Sequence, residues 1–411
     1  MSAETDWRAL LGEVPRDGFI PDLIWVDAAA EVGGQSGFVA LCKGDDPGRW
    51  WGLVAGDEPV VTQVDEGNTA PGQVGWSPSS SCSKPSIVAA MLDVLDVGPG
   101  QSVLEIGTGT GWNAALLSRR VGESGRVVSI EVDPGIAQRA RSALVRAGYA
   151  SLVVCADGVE GYRDAAPYDR VLATASVREV VPRTWLEQTR PGGLVVTPWG
   201  TDYCNGVMLT VQVGEGGAAT GRFGGDLAFM RLRSQRRRFY EPDQAQIDQA
   251  DVATTEVHGW DFFRMINSDQ AAFSIGLLVP RCALTVELNT AGEDHHILEL
   301  DDVSTGSWAR LDADLCSSER LVVRQLGPRR LWDEAETAYD WWYERGKPGL
   351  DRFGMTITTP GDQTVWVDDP STIVRDFTQS PGGTSPAPGH CTATTPGPPT
   401  RSTRPAPTHP S

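Results

Sequence analysis

The chain has 411 residues, room for two domains, and 40% of them are hydrophobic, enough for a sizeable core. Its net charge of −19 disfavours nucleic acid and anionic membrane surfaces and suits a soluble protein with a neutral or cationic partner. The seven cysteines are scattered without zinc spacing, so reduced thiols, a cytoplasmic location and no metal site are expected.

The first residues carry acids and lack an apolar signal-peptide core, and no apolar run reaches membrane-spanning length. Residues 4–13 pattern as a short amphipathic helix ended by Pro15. From 21 to 56 the sequence mixes Gly, Asp and Trp with no clean period. The polar stretch 79–84 leads into Pro85, which suits a first helical turn, and the serines before it can cap that turn.

Residues 103–113, VLEIGTGTGWN, are the centre of the chain. A short apolar strand runs into glycines at 107, 109 and 111, and a helix-compatible stretch follows. Such a turn needs glycine because its backbone takes positive φ and approaches a ligand closely. The helix after it presents unpaired N–H groups and a positive dipole end. Glu105 lies at the end of the first strand, and Glu131 ends the next apolar run, RVVSIEVD. An acid at a second strand end suits a ribose diol. An acid beside the glycines would repel a pyrophosphate, and is explained by the amino group and sulfonium of S-adenosylmethionine. The spacing therefore points to a methyltransferase, with Glu105, Gly107, Thr108, Gly109, Gly111 and Glu131 holding the cofactor.

Residues 112–122 and 134–148 pattern as helices, and 151–158 as a strand ending in Asp157 and Gly158, where an acid can accept from the adenine amino group. A strand at 168–174, a helix at 180–188 and β structure at 192–200 and 207–213 complete an alternating series. Alternating βα units give an α/β fold, a Rossmann-like doubly wound sheet that is mainly parallel, with the ligand at the strands' C-terminal ends.

The motifs VPRDGFIP (14–21), SCSKPSIV (81–88), VLEIGTGTG (103–111), Asp157-Gly158, PYDRVLAT (167–174) and RPGG (190–193) occur in that order. Together they resemble the protein-L-isoaspartate O-methyltransferase family over residues 12–235. The resemblance implies that Ser83 is the catalytic serine, bonding the substrate carboxylate beside the methyl donor, with Ser81 the small hydroxyl residue two before it. It implies an N-terminal cap over 1–78, here lengthened by insertions around 28–50 and 65–79, a methyltransferase core over 79–235, and a last core strand at 227–233. Many members carry His where this chain has Ser86, so any role of that histidine is in doubt. The reaction implied is carboxyl methylation of an isoaspartyl or aspartyl residue in a protein or peptide, the ester then closing to a succinimide. Longer relatives with an appended domain resemble enzymes acting on a modified precursor peptide, such as a lanthipeptide or graspetide. General protein repair is the alternative, and a non-catalytic adaptor that only binds the donor is a third reading.

The arginine-rich run 233–238 is either a solvated linker, the commoner case, or a receiver for an acidic peptide segment. Beyond it, FSIGLLV, CALTVEL, HHILEL, LVVRQL, MTITT and TVWVD read as short strands, and 332–346 as a helix whose Trp332, Tyr339 and Trp342 form a core stripe. This predicts a separate α+β domain over 240–376. Adjacent His295 and His296 point to opposite faces of a strand, against shared metal ligation. The tail, 378–411, is Pro, Ser, Thr and Gly with no large apolar residue, and is expected to be disordered.

Overall fold

The computed structural model describes residues 7–27, 37–257, 259–267, 269–288, 295–314, 320–359 and 361–378. The expected disordered tail, apart from its first residue, and part of the first insertion, 28–36, lie outside the described residues.

Helix α1 (Trp7–Glu13) opens the cap, which continues through β1 (Leu23–Asp27), β2 (Phe38–Cys42), α2 (Pro47–Ala55), β3 (Val60–Val64) and β4 (Pro78–Cys82). The four strands form an antiparallel sheet in the order β2-β1-β3-β4, so the serine segment is that sheet's edge strand and not a linker. Arg16 locks the cap together. All five of its N–H donors reach backbone carbonyls: Nε to Val54 at 2.7 Å, Nη1 to Glu58 at 2.9 Å and Ser83 at 3.2 Å, and Nη2 to Leu53 at 3.1 Å and Gly56 at 2.6 Å. A guanidinium is suited to this because its planar fork carries five fixed donors and no acceptor. It thereby satisfies the C-terminal carbonyls of α2, where a cation is also favoured by the helix dipole.

The core follows as α3 (Pro85–Leu95), β5 (Ser102–Ile106), α4 (Trp112–Val121), β6 (Arg126–Glu131), α5 (Pro134–Arg146), β7 (Leu152–Cys155), β8 (Tyr168–Ala173), β9 (Val177–Arg178), α6 (Arg183–Glu187), β10 (Thr189–Gly200), β11 (Asn205–Val213) and β12 (Ala219–Asp226). Strands β7, β6, β5, β8 and β10 are parallel neighbours in that spatial order. The order reverses between β5 and β8, which opens a crevice at their C-terminal ends, the usual ligand position in such sheets. The expected Rossmann-like α/β fold is present.

After α7 (Gln244–Asp248) come β13 (Asp251–Thr255), α8 (Gly259–Asn267), α9 (Asp269–Leu278), β14 (Ala283–Leu288), β15 (His295–Asp302), β16 (Ser307–Asp314), β17 (Leu321–Leu326), α10 (Leu331–Glu344), β18 (Phe353–Ile357), β19 (Gln363–Val367) and β20 (Ile373–Asp376). Strands β13-β17-β16-β15-β14 make their own antiparallel sheet. The stretch 353–376 does not join it. Strand β18 pairs antiparallel with β12, and β19 and β20 add outward, so the central sheet runs from β7 to β20 without a break. The domain boundary expected at 235–240 is therefore crossed, and residues 7–378 belong to one compact unit. An open edge on β12 found its partner in chain that lies far along the sequence.

Two further expectations change. FSIGLLV is α9, a helix, with Phe273, Ser274, Ile275 and Leu277 all fully buried. A helix buried on nearly every side shows a continuous apolar run, which resembles a buried strand. Residues 227–233 are not a strand. The place beside β12 is taken by β18, and the segment bends back, bridged once to the sheet side by Arg231 and Ser176. The stripe on α10 is core, with Trp332, Tyr339 and Trp342 all buried.

Replacing Arg16 by Met should strand five carbonyls at once. The expected loss of stability is about 3 kcal/mol in a urea titration, and a loss below about 1 kcal/mol would contradict the anchoring role.

Candidate active site

Strand β5 ends at Ile106, and the chain turns through Gly107 (φ 95°), Gly109 (φ 52°) and Gly111 (φ 88°) before α4. All three lie in the left-handed region that side chains disfavour. A Cβ on Gly107 would stand 2.8 Å from Thr174 Oγ1, and one on Gly109 3.3 Å from the Ser81 carbonyl oxygen. The second contact brings the serine segment directly against the glycine turn.

Behind the turn lies a buried polar network. Glu105 is fully buried; its Oε1 accepts from Asn113 Nδ2 at 2.7 Å and its Oε2 from the Ser129 hydroxyl. Thr108 Oγ1 and Ser129 Oγ are 2.6 Å apart, and with the Ser129 proton directed at Glu105, Thr108 is the donor between them. Burial pushes the Glu105 carboxyl up to about 7, against the pull of its two hydrogen bonds. Glu131, at the end of β6, accepts from Gly109 N and Asp133 N, both at 3.0 Å. Burial raises its pKa as well. Asp133 caps α5 through Gly135 N and Ile136 N, at 2.8 and 3.0 Å.

These groups border one cavity of about 720 Å³, within the range of small-molecule sites. Gly107, Thr108, Gly109 and Glu131 line it, as do Asp157 and Gly158. Asp157 accepts from Val159 N at 3.0 Å, and a Cβ on Gly158 would stand 2.5 Å from Ile106 Cγ2, so glycine is required there. Ser81 and Ser83 line the cavity from β4 and the loop after it. The Ser83 carbonyl is held by Arg16, and the residue before α3 is Lys84, so the serine hydroxyl does not cap the helix. Asp57 performs that task by accepting from Ser86 N at 2.8 Å.

Two predicted residues stand elsewhere. Gly111 packs against α5, its missing Cβ 3.4 Å from Ala140 and Leu144. Glu105 sits behind the cavity wall with both oxygens already bonded, so it does not itself meet a cationic ligand group. Asn113 stands in front of it, in the wall, and its Oδ1 is buried without a hydrogen-bond partner. An orphaned acceptor is costly unless a ligand donor fills the gap. Neither composition nor spacing marked Asn113.

The arginine run is no solvated linker. Arg233 pairs with Glu66 at 2.6 Å and Asp133 at 3.3 Å, Arg236 with Glu66, and Arg237 with Asp301 at 2.5 Å. Its acid partners come from the cap, the core and the second sheet, which sequence separation conceals.

S-adenosylmethionine, the cofactor implied by the resemblance, fits these residues. Glu131 and Asp157 stand at successive strand ends for the ribose and adenine, and Asn113 Oδ1 offers an acceptor to an ammonium. A glycine turn with acids at the next strand ends defines the class: a Rossmann-like methyltransferase.

Comparison with known proteins narrows the class. The family described as protein-L-isoaspartate(D-aspartate) O-methyltransferase matches residues 68–234. Protein-L-isoaspartate O-methyltransferase 2 of Archaeoglobus fulgidus is 38% identical over 154 residues, 37% of this chain and 69% of that protein. The protein-L-isoaspartate O-methyltransferase of Methanopyrus kandleri is 39% identical over 163 residues, 39% of this chain and 71% of that protein. A solved protein-L-isoaspartate O-methyltransferase aligns with TM-score 0.48 and 20% identity, covering 89% of this chain and 96% of that one. The chain belongs to the protein-L-isoaspartate O-methyltransferase family.

The buried carboxyl makes stability depend on pH. Folding raises the Glu105 pKa from 4.5 to about 7, so the folded chain keeps a proton that the unfolded chain releases between those values. The associated stability is full below pH 4.5 and is lost as pH rises to about 7. Glu105→Gln should remove this loss. Its advantage over wild type should grow by about 3 kcal/mol between about pH 4 and about pH 8 in denaturant titrations. A constant difference across that range would contradict the assignment.

Proposed function

We propose that the chain transfers the methyl group of S-adenosylmethionine to a carboxylate oxygen of an isoaspartyl or aspartyl residue in a peptide or protein. The observation that carries this reading is the meeting of Ser83 with the glycine turn in one cavity, with Ser81 and Gly109 in contact between them.

Bound against Asn113, Glu131 and Asp157, the cofactor supplies an electrophilic methyl group. An acceptor carboxylate is already ionised at neutral pH, so no general base is required. The Ser83 hydroxyl would donate to one carboxylate oxygen and leave the other to attack. Arg16 fixes the Ser83 backbone, so the hydroxyl arrives from a rigid loop, and the rate gain is chiefly one of proximity and orientation. A methyl ester beside a main-chain amide then closes to a succinimide without further help from the chain.

The same wall bears on the acceptor class. Ile266, Ala272 and Leu284, all from the C-terminal region, border the cavity beside the core residues. This extension beyond the core supports an acceptor larger than one flexible residue, and so a modified precursor peptide as the dedicated substrate. General isoaspartyl repair is the second reading, supported by the names of the family relatives.

Labelled methyl transfer to matched linear peptides, one with isoaspartate and one with aspartate, separates the two. Transfer to the isoaspartyl peptide alone supports repair. Silence on both, with the cofactor bound, supports a constrained peptide. On whichever acceptor is active, Ser83→Ala should lower kcat/KM by about tenfold to a hundredfold while leaving cofactor affinity unchanged. Equal activity of Ser83→Ala would remove the serine from the mechanism.

A further inference from the structure

Residues 227–233 cross the C-terminal ends of the central strands and line the cavity throughout. Backbone bonds on both sides of Arg231 fix its position: Ser176 N donates to Met230 O at 2.8 Å, and Leu232 N to Ser176 O at 3.0 Å. Asn205 Nδ2 adds a bond to the Phe229 carbonyl at 3.0 Å. Arg231 is thus held beside the end of β8, where Thr174 and Ala175 enter the same wall.

Its guanidinium is half used. Nη2 donates to the Thr201 carbonyl, while Nη1 is buried without a hydrogen-bond partner. Arginine stays protonated at any working pH, so this is a buried cationic donor with an unfilled place. Two acids lie near enough to favour its charge, Asp202 and Glu179. Asp202 is held by Arg178, through an ion pair of Nε with Oδ1 at 2.7 Å and a hydrogen bond from Nη2 to Oδ2 at 2.8 Å, and makes no hydrogen bond with Arg231 Nη1. Leaving a charged donor unpaired in the interior is expensive, so an anion bound there is favoured.

The planar fork of arginine is matched to a carboxylate. Two carboxylates are at hand in the proposed reaction, that of the acceptor and the α-carboxylate of the methyl donor. Glu131, Asp157 and Asn113 are the residues assigned to the donor, whereas Arg231 bonds Thr201, two residues before Tyr203, whose hydroxyl donates to Met265 O beside Ile266 in the C-terminal region.

We propose that Arg231 is a substrate-binding residue whose Nη1–H donates to the acceptor carboxylate, sharing it with the Ser83 hydroxyl. The inference rests on the carboxyl-methyltransferase reading above. A carboxylate has room for both donors, since it offers about four lone-pair sites, and one remains for attack on the methyl group. Arg231 then selects for an ionised acid over the corresponding amide, the discrimination an enzyme acting on aspartyl but not asparaginyl groups needs.

The test compares Arg231→Met and Arg231→Lys with wild type in the full chain, using the acceptor peptide and its carboxamide analogue. Calorimetry with S-adenosylhomocysteine reports the donor side separately. Arg231→Met should raise KM for the carboxylate peptide by about tenfold to a hundredfold. It should also erase the preference for carboxylate over carboxamide binding in the presence of S-adenosylhomocysteine. Affinity for S-adenosylhomocysteine alone should stay within about twofold, and Arg231→Lys should recover part of the loss.

An unchanged KM and preference in a folded Arg231→Met would overturn the inference. So would a loss confined to S-adenosylhomocysteine affinity, which would place the donor's carboxylate on Arg231. Should Arg231→Met not fold, Arg231→Lys decides alone: a raised KM with intact donor binding supports the inference, and wild-type values for both refute it. A wild-type chain that binds S-adenosylhomocysteine but neither binds nor methylates any carboxylate peptide would bring down the carboxyl-methyltransferase reading itself, and this inference with it.

Discussion

One buried carboxyl group holds the site in register. Glu105 takes hydrogen bonds from Asn113 on α4 and Ser129 on β6, and Ser129 in turn receives Thr108 from the glycine turn. Three elements that meet at the crevice are thereby tied to a point behind it. The group is costly to bury, as its raised pKa shows, and it is retained where an apolar residue would pack more cheaply. What it provides is orientation: the Asn113 amide nitrogen is held by Glu105, and its oxygen is left buried without a partner in a residue of the cavity wall.

The opposite wall is made rigid by other means. Arg16 spends all five donors on the carbonyls of the cap and the Ser83 loop, and the 65–67 turn is drawn onto the core by Glu66, which engages Arg233 and Arg236. Surface ion pairs contribute little singly. Here three of them share two residues, Glu66 and Arg233, and span the cap, the core and the segment 227–236 that forms the third wall. The serine loop, the glycine turn and that segment are therefore positioned by three independent sets of bonds around one cavity.

The parts legible in the sequence are those whose cause is local. The glycine turn declares itself because positive φ at 107, 109 and 111 admits few other residues. The βα units follow from period and from proline at the starts of α3 and α5. What was not legible depends on distant partners. No local feature of 353–376 indicates that it will extend the central sheet from β12, and the burial of α9 on all sides removes the helical period that would have named it. An acid beside the glycines is chemically apt for the ligand, which makes Glu105 the expected contact; only the fold shows Asn113 in the cavity wall with its amide on Glu105. Arg231 was hidden in a stretch whose alternation imitates a strand, and its unfilled donor is visible only once Thr201 and Asp202 are seen beside it.

The central claim is that the cavity esterifies a carboxylate, and the bond formed is the most direct thing to test. An acceptor peptide would be labelled from methyl-tritiated S-adenosylmethionine, isolated, and exposed to mild base. A methyl ester releases its label as volatile methanol, which is the result expected here. A label that stays on the peptide through the base treatment would mean transfer to nitrogen or to a hydroxyl, and would contradict the account.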